Sequence, residues 1–340
     1  MSLAVTVLQD AIIQLKEQDT LNDFESRLST YGALEAMMLD TERLVPKSEL
    51  EAAKQAKGHV TKLPVLKKYD ADIKTAYTCA FDPDANESAF VTPTYATVGF
   101  DVSITEQVNV DNYIAVQRDL AHQIRMGIKA VAANLDSAAV SFLDTGKTQV
   151  NASPLYPVVG NAMRVPAAQK LEFYKNIGAI MKRNDLDLPV LDIASTETMV
   201  DFTFVGAQGA SNSVNTAYQI SGIRPYRSNR VTNGSGVAET HFIVPEGNLG
   251  MLTWVPYDFR RGAKVNEGEI WTTMVDPILG MTWAVRYKRS CTDVSSTYTR
   301  QNPGTLTEEW SFRLDYSYLK AYSSDTSSPI FKAEVLAAES

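Results

Sequence analysis

The 340 residues are 44% hydrophobic and 21% charged, close to ordinary globular usage, so a sizeable core can form and disorder is not the default reading. A formal net charge of −8 excludes a general electrostatic attraction to nucleic acid or to anionic lipid. No window approaches the ~18 uninterrupted apolar residues of a membrane helix, and the first ten residues lack a basic start, so neither a span nor a signal peptide is expected.

Two cysteines, Cys79 and Cys291, cannot build a disulfide framework and suit a reducing compartment. Apolar residues at near-helical spacing (Val5, Leu8, Ile12, Leu15, Leu21, Phe24, Leu28) predict a helix over 5–28. A second is expected over 33–44, stopping before Pro46. A third, over 48–57, opens on Ser48 with Glu51 three residues on, a capping box, and ends at Gly58. These sixty residues hold no aromatic-rich core, so they are expected to form an arm that lies on other surfaces.

Strand patterning follows. Ala71, Ile73, Thr75, Tyr77, Cys79 and Phe81 share one face over 71–81, and Phe90, Thr92, Thr94, Ala96, Val98, Phe100, Val102 and Ile104 share one over 90–104. The polar stretch 82–88, rich in turn formers, lies between them. The expected product is a long hairpin reaching roughly 40 Å at ~3.3 Å per residue. An isolated ribbon of that length is marginal in water, so its apolar side should rest on this chain's body or on a neighbour.

A long helix is predicted over 111–143. Its stripe is Ile114, Leu120, Ile124, Ile128, Val131, Leu135, Ala139 and Phe142, with Gly146 as the stop. Such a rod spans roughly 50 Å. The remainder alternates: a proline-bearing loop over 151–166, a helix over 167–181, a buried strand over 188–193, and a short helix after Ser195. Strands are expected over 216–220, 240–244, 250–255, 270–275 and 281–289. Trp310, Phe312, Leu314, Tyr316 and Tyr318 then alternate with small and charged residues, a closing strand with an aromatic face.

Catalytic patterns break at named positions. His59, His122 and His241 are the only histidines. His122 reads as a solvated helix residue and His241 as structural. Zinc spacings are absent, so no metal or other cofactor is expected. The stretch 144–148 ends like a phosphate loop, but the required earlier glycine is Ser141 and the helix precedes Gly146 where it should follow. Asp82, Asp84 and Asn86 have calcium-loop spacing, yet Glu87 stands at the glycine and Pro93 at the closing glutamate, which favours a solvated hairpin tip. Arg224, Arg227 and Arg230 form a basic cluster, followed by Arg260, Arg261 and Lys264. Exposed loop charge is one reading; a charged inter-subunit contact or pore-lining loop is the other.

This order of parts resembles the Hong Kong 97-type capsid fold of tailed phages, herpesvirus floor domains and encapsulins. Local stretches agree: Gln219-Ile-Ser-Gly-Ile-Arg-Pro-Tyr-Arg-Ser-Asn229, Phe242-Ile-Val-Pro-Glu-Gly-Asn-Leu-Gly250, and Phe312-Arg-Leu-Asp-Tyr with Ser328-Pro-Ile-Phe-Lys332. The resemblance covers about residues 60–335 and is one of architecture. It implies an α+β chain with a helical N-terminal arm (1–60) and an extended β-hairpin loop (61–104). A peripheral domain with a spine helix (105–150, completed by 305–335) and a mixed α/β axial domain (151–304) follow. It implies a non-enzymatic major capsid protein of a tailed double-stranded DNA phage, resident in the virion and in host cytoplasm during assembly. Its partners would be itself, as pentamers and hexamers, with portal and minor capsid or decoration proteins. Packaged DNA would be contacted weakly and without sequence specificity. Only some sixty residues precede the loop, which implies a separate scaffold protein or none. Phe81, Asp82, Phe90, Phe100, Arg224, Arg227 and Arg230 are the assembly-contact candidates. The alternatives are an encapsulin-type compartment shell and a phage tail or baseplate protein.

Overall fold

The computed structural model describes residues 10–11, 13, 31–65, 89–105, 113–147, 155–201, 222–262, 264–266, 269–292, 305–321 and 328–338. In chain order its elements are α1 (Gly32–Leu44), α2 (Lys47–Gln55), β1 (Leu63–Val65), β2 (Ala89–Val91), β3 (Ala96–Thr105), α3 (Tyr113–Gly146), β4 (Val158–Val159), β5 (Ala162–Val165) and α4 (Lys170–Arg183). They continue with β6 (Val190–Ala194), β7 (Ile223–Arg227), β8 (Val237–Pro245), β9 (Leu249–Trp254), α5 (Tyr257–Arg261), β10 (Lys264–Asn266), β11 (Glu269–Val275), β12 (Thr282–Thr292), β13 (Thr305–Lys320) and β14 (Phe331–Leu336). The chain is α+β. Sheet I has the order β10-β11-β12-β13-β3, with β9 also joined to β13. Sheet II has the order β4-β5-β14-β8-β6-β7.

The long helix forms where its periodicity places it. The face Leu120, Ile124, Ile128, Val131, Leu135, Ala139 and Leu143 is buried, at spacings of three and four. At 34 residues α3 is a rod of roughly 50 Å. It lies on the inner face of sheet I, where Trp310, Phe312 and Leu314 of β13 meet Trp283 and Val285 of β12. The alternation of β13 sends these aromatic residues inward and Ser311, Arg313 and Asp315 outward. Past Tyr316 the strand is covered on both faces. Ser317 is also buried, as is Leu319 on a small core with Leu50, Leu63 and Leu252, while the Tyr318 hydroxyl donates to the Leu135 carbonyl at 2.6 Å.

One contact sets how closely helix and sheet approach. The Phe100 ring lies over Gly127, and a Cβ on that glycine would fall 2.2 Å from a ring carbon. Gly127→Ala should therefore destabilise the subunit by about 1–3 kcal/mol through overpacking. Phe100→Leu in the same chain should recover part of the loss. Thermal unfolding of the single and double variants checks this, and simple additivity would contradict it.

The strand at 96–105 is present, and its described partner lies in sheet I. β3 pairs with β13, Phe100 opposite Phe312 and Val102 opposite Trp310. β2 instead pairs with β1, placing Phe90 opposite Pro64. The unbroken alternation over 90–104 conceals a break at Pro93, which has no N–H for a ladder. The other expected hairpin arm, 71–81, lies outside the described residues, as do the strand over 216–220 and most of the helix over 5–28.

Residues 32–55, expected within an arm, lie on this chain's own body. Ala33, Leu34, Ala36 and Met37 of α1 enter the main core. Asp136, buried midway along α3, accepts the Leu34 amide at 2.9 Å and the Ser228 hydroxyl at 2.5 Å, placing a carboxyl at the N-terminus of α1. Asp40, near the other end, accepts the amides of Gly247, Asn248 and Leu249 at 2.7–3.0 Å and so holds the β8–β9 turn. The capping box at Ser48 does not form. Pro46 occupies the N-cap, and its carbonyl accepts the Glu49 and Leu50 amides, which starts the helix two residues earlier than Ser48 would.

Sheet membership also departs from the expected 151–304 and 305–335 division. β9 to β12 join β13 and β3 in sheet I, whereas β14 sits inside sheet II between β5 and β8. One face of sheet II packs on α4. The other supplies Leu191, Ile193, Phe242 and Val244 to the core shared with α3 and sheet I.

Candidate assembly interface

The candidate contact residues fall into three groups. Phe81 and Asp82 lie outside the described residues, and Phe90 is placed only by its backbone in β2. Phe100, expected to bury itself on a neighbour, is used within this subunit. It stacks on Phe312 at 4.6 Å and meets Trp283 edge-on at 5.7 Å. Its alternation signal was that of a core-facing strand, which sequence cannot separate from a neighbour-facing one.

The arginine cluster is divided among separate ion pairs. Arg224 is half exposed on the edge strand β7, and its Nε meets Glu246 at 2.5 Å. Arg43 of α1 reaches the same carboxylate. Arg230 bonds Asn229 at 3.0 Å, and its charge acts on the buried Asp136. Arg227 turns inward, 3.1 Å from Asp192, and also donates to the Asp192 carbonyl at 2.9 Å. Arg260 caps the end of α2 through the Lys54 and Ala56 carbonyls, close to the Trp254 and Tyr257 rings. All of these cations have partners within the subunit, and Arg227 and Arg260 bind its backbone as well.

Arg227 enters a charged network that sequence reading missed. His241 is fully buried, its Nδ1 2.9 Å from Asp192 and its Nε2 3.7 Å from Glu239. Lys170 of α4 bridges Glu239 and Asp201. Burial pushes the Asp192 carboxyl up, but His241 and Arg227 overcome this and hold it below the usual carboxylate range. Burial would likewise lower the His241 ring, yet Asp192 and Glu239 raise it above the ordinary histidine value. Burial, with the neighbouring Glu239, pushes the Asp201 carboxyl up, whereas His241, Asp201 and Lys170 overcome burial and hold Glu239 low. Arg227 and His241 lie 35 and 49 positions from Asp192, so no local motif announces the three.

The surface left over is mixed. The outer face of sheet I carries a shallow groove of about 520 Å³ with Asp101, Ser103, Lys288, Glu309 and Arg313. Arg313 donates to Asp101 there and holds that carboxyl below its usual range. His59, after α2, stacks on Tyr95 at 4.1 Å and pairs with Asp315 at 2.9 Å, fastening that segment to β13. Exposed apolar residues are scattered: Leu39 on α1, Met126 on the outward face of α3, Met199 and Val200 after β6, and Val275 at the end of β11. His122 is exposed on α3, as expected. Among the described residues no cluster of three or more His, Cys, Asp or Glu is placed to hold a metal ion.

No family model matches the sequence, and no curated protein matches it. Among solved structures the chain is similar to one from Mycobacterium phage Bobi, at 15% identity over 85% of this chain and 90% of that one, with a TM-score of 0.45. It is similar to a structure described as the capsid of Cyanophage P-SCSP1u, at 11% identity over 82% and 83%, with a TM-score of 0.43. It is also similar to one described as the asymmetric unit of the bacteriophage PhiM1 mature capsid, at 10% identity over 81% and 81%, with a TM-score of 0.40.

Proposed function

We propose that this chain is the shell-forming subunit of a tailed double-stranded DNA phage, built on the Hong Kong 97-type plan. The observation that carries the proposal is α3, an unbroken rod of 34 residues laid across sheet I, its buried face in a core common to both sheets. A rod backed by a continuous core resists bending, which suits a plate that must meet several copies of itself around closed symmetry axes. Its outward face, with His122, Met126, Ala130 and Asn134 exposed, and the grooved outer face of sheet I supply broad polar contacts with scattered apolar points. Interfaces of that composition gain specificity from fit and charge, and a closed shell sums many of them. In this reading identical subunits form pentamers and hexamers in the virion shell. A separate scaffold, portal and decoration proteins are the further partners, and the enclosed DNA is held without sequence preference.

β1 and β2 pair with each other, and the proposal makes residues 66–88, which join them in sequence, a projection. In the proposal this projection reaches a neighbouring subunit through Phe81, Asp82 and Phe90. Deleting residues 81–90 should leave a folded subunit, with an unchanged far-ultraviolet circular dichroism spectrum, and should abolish closed particles in electron micrographs. Intact particles from the deleted chain would remove the projection from the assembly mechanism.

A further inference from the structure

We infer that His241 is a proton-loaded tie inside sheet II, whose positive ring holds the carboxylates Asp192 and Glu239 together beneath α4. The inference stands apart from the shell reading and rests on what surrounds the ring.

Each element packed around His241 contributes a named group. Strand β6 brings Asp192 to the Nδ1 side at 2.9 Å, and β8 itself brings Glu239 to the Nε2 side at 3.7 Å. Strand β7 brings Arg227 onto Asp192 at 3.1 Å. Helix α4 places the Phe173 and Tyr174 rings edge-on at 5.2 and 5.8 Å, and its Lys170 lies on Glu239 and Asp201. Strand β14 sets Ala333 opposite His241 in the ladder. Its charged neighbours Lys332 and Glu334 are engaged elsewhere, with Asp144 and Arg164.

With the ring protonated, the cations His241 and Arg227 face the carboxylates Asp192 and Glu239 within the sheet, and Lys170 lies outside them between Glu239 and Asp201. A neutral ring leaves one uncompensated negative charge beside aromatic side chains, where water cannot screen it. The group nearest the surface should yield first. That is the turn of residues 195–201, which is joined to β8 by the Ser195 amide on the Thr240 carbonyl and to α4 by Asp201 on Lys170. The direction follows from linkage. A group that binds its proton more tightly when folded adds stability fully present below about pH 6.5, and that stability is lost as pH rises through the folded value.

The test is histidine C2–hydrogen exchange read by mass spectrometry across pH 5–10 on the full chain, assembled or not, since the three histidines are well separated in sequence. The His241 midpoint should lie above about 6.5. Asp192→Asn should lower it by about one pH unit or more. Backbone amides of residues 195–201 should lose protection, beyond the intrinsic base-catalysed rate, as pH passes that midpoint. If Asp192→Asn does not fold, the wild-type midpoint still decides. A His241 midpoint at or below about 6.5, or protection of 195–201 that does not change across it, would overturn the inference.

Discussion

Phe312→Ala should lower the unfolding free energy of the subunit by about 3–5 kcal/mol. Phe312 is fully buried at the centre of sheet I, stacked on Phe100 and paired through its strand with both β12 and β3. Truncation removes an aromatic ring and leaves a cavity that three strands and α3 cannot collapse into without breaking their register. Urea unfolding of the unassembled subunit reads the effect as a fall in midpoint at constant slope. Phe312→Leu keeps most of the volume and should cost markedly less. A loss under about 1.5 kcal/mol, the usual ceiling for a volume-conserving swap, would mean that sheet I is more loosely packed than described here.

Arg227→Ala should cost a similar amount for a different reason. It removes one of two cationic partners from the fully buried Asp192, and breaking a buried pair from one side typically costs about 3–5 kcal/mol. The remaining partner, His241, moderates the loss only while it is protonated, so the penalty should be larger at pH 8.5 than at pH 6. Asp192→Asn in the Arg227→Ala background removes the stranded charge and should restore part of the stability, which a double-mutant cycle isolates. An additive cycle would show that the two residues do not act as a pair.

These two sites differ in how far the sequence announces them. Phe312 was legible, because alternation over 310–318 marks a strand with an aromatic face and period alone fixes which side is buried. The stripe from Leu120 to Leu143 was legible for the same reason. Arg227 was not. Three arginines close in sequence read as one basic patch, but β7 holds Arg224 at its exposed edge and aims Arg227 beneath α4. Its carboxylate lies on another strand, and only the fold brings them together.

Strand β14 shows a second limit. Phe331, Ala333 and Val335 alternate with Lys332 and Glu334 as in a one-faced strand, yet Glu334 is buried too, and the place of this strand between β5 and β8 comes only from the fold. Pro93 shows a third. The period-2 pattern runs through it unchanged, while the ladder cannot, so one patterned stretch becomes the two strands β2 and β3 with different described partners. The helix α1 was found in the sequence but misassigned to an arm. Its two tethers, Asp136 and Asp40, are single carboxylates aimed at backbone amides 102 and more than 200 positions away.

The central claim is that this chain closes into a shell. The most direct measurement is electron microscopy of the purified full-length protein over a range of concentrations, with mass photometry on the same samples. Closed particles of uniform diameter, tens of nanometres across and built from pentamers and hexamers, are the expected result. A monomer that persists at every concentration, alone and with candidate scaffold proteins, would contradict it.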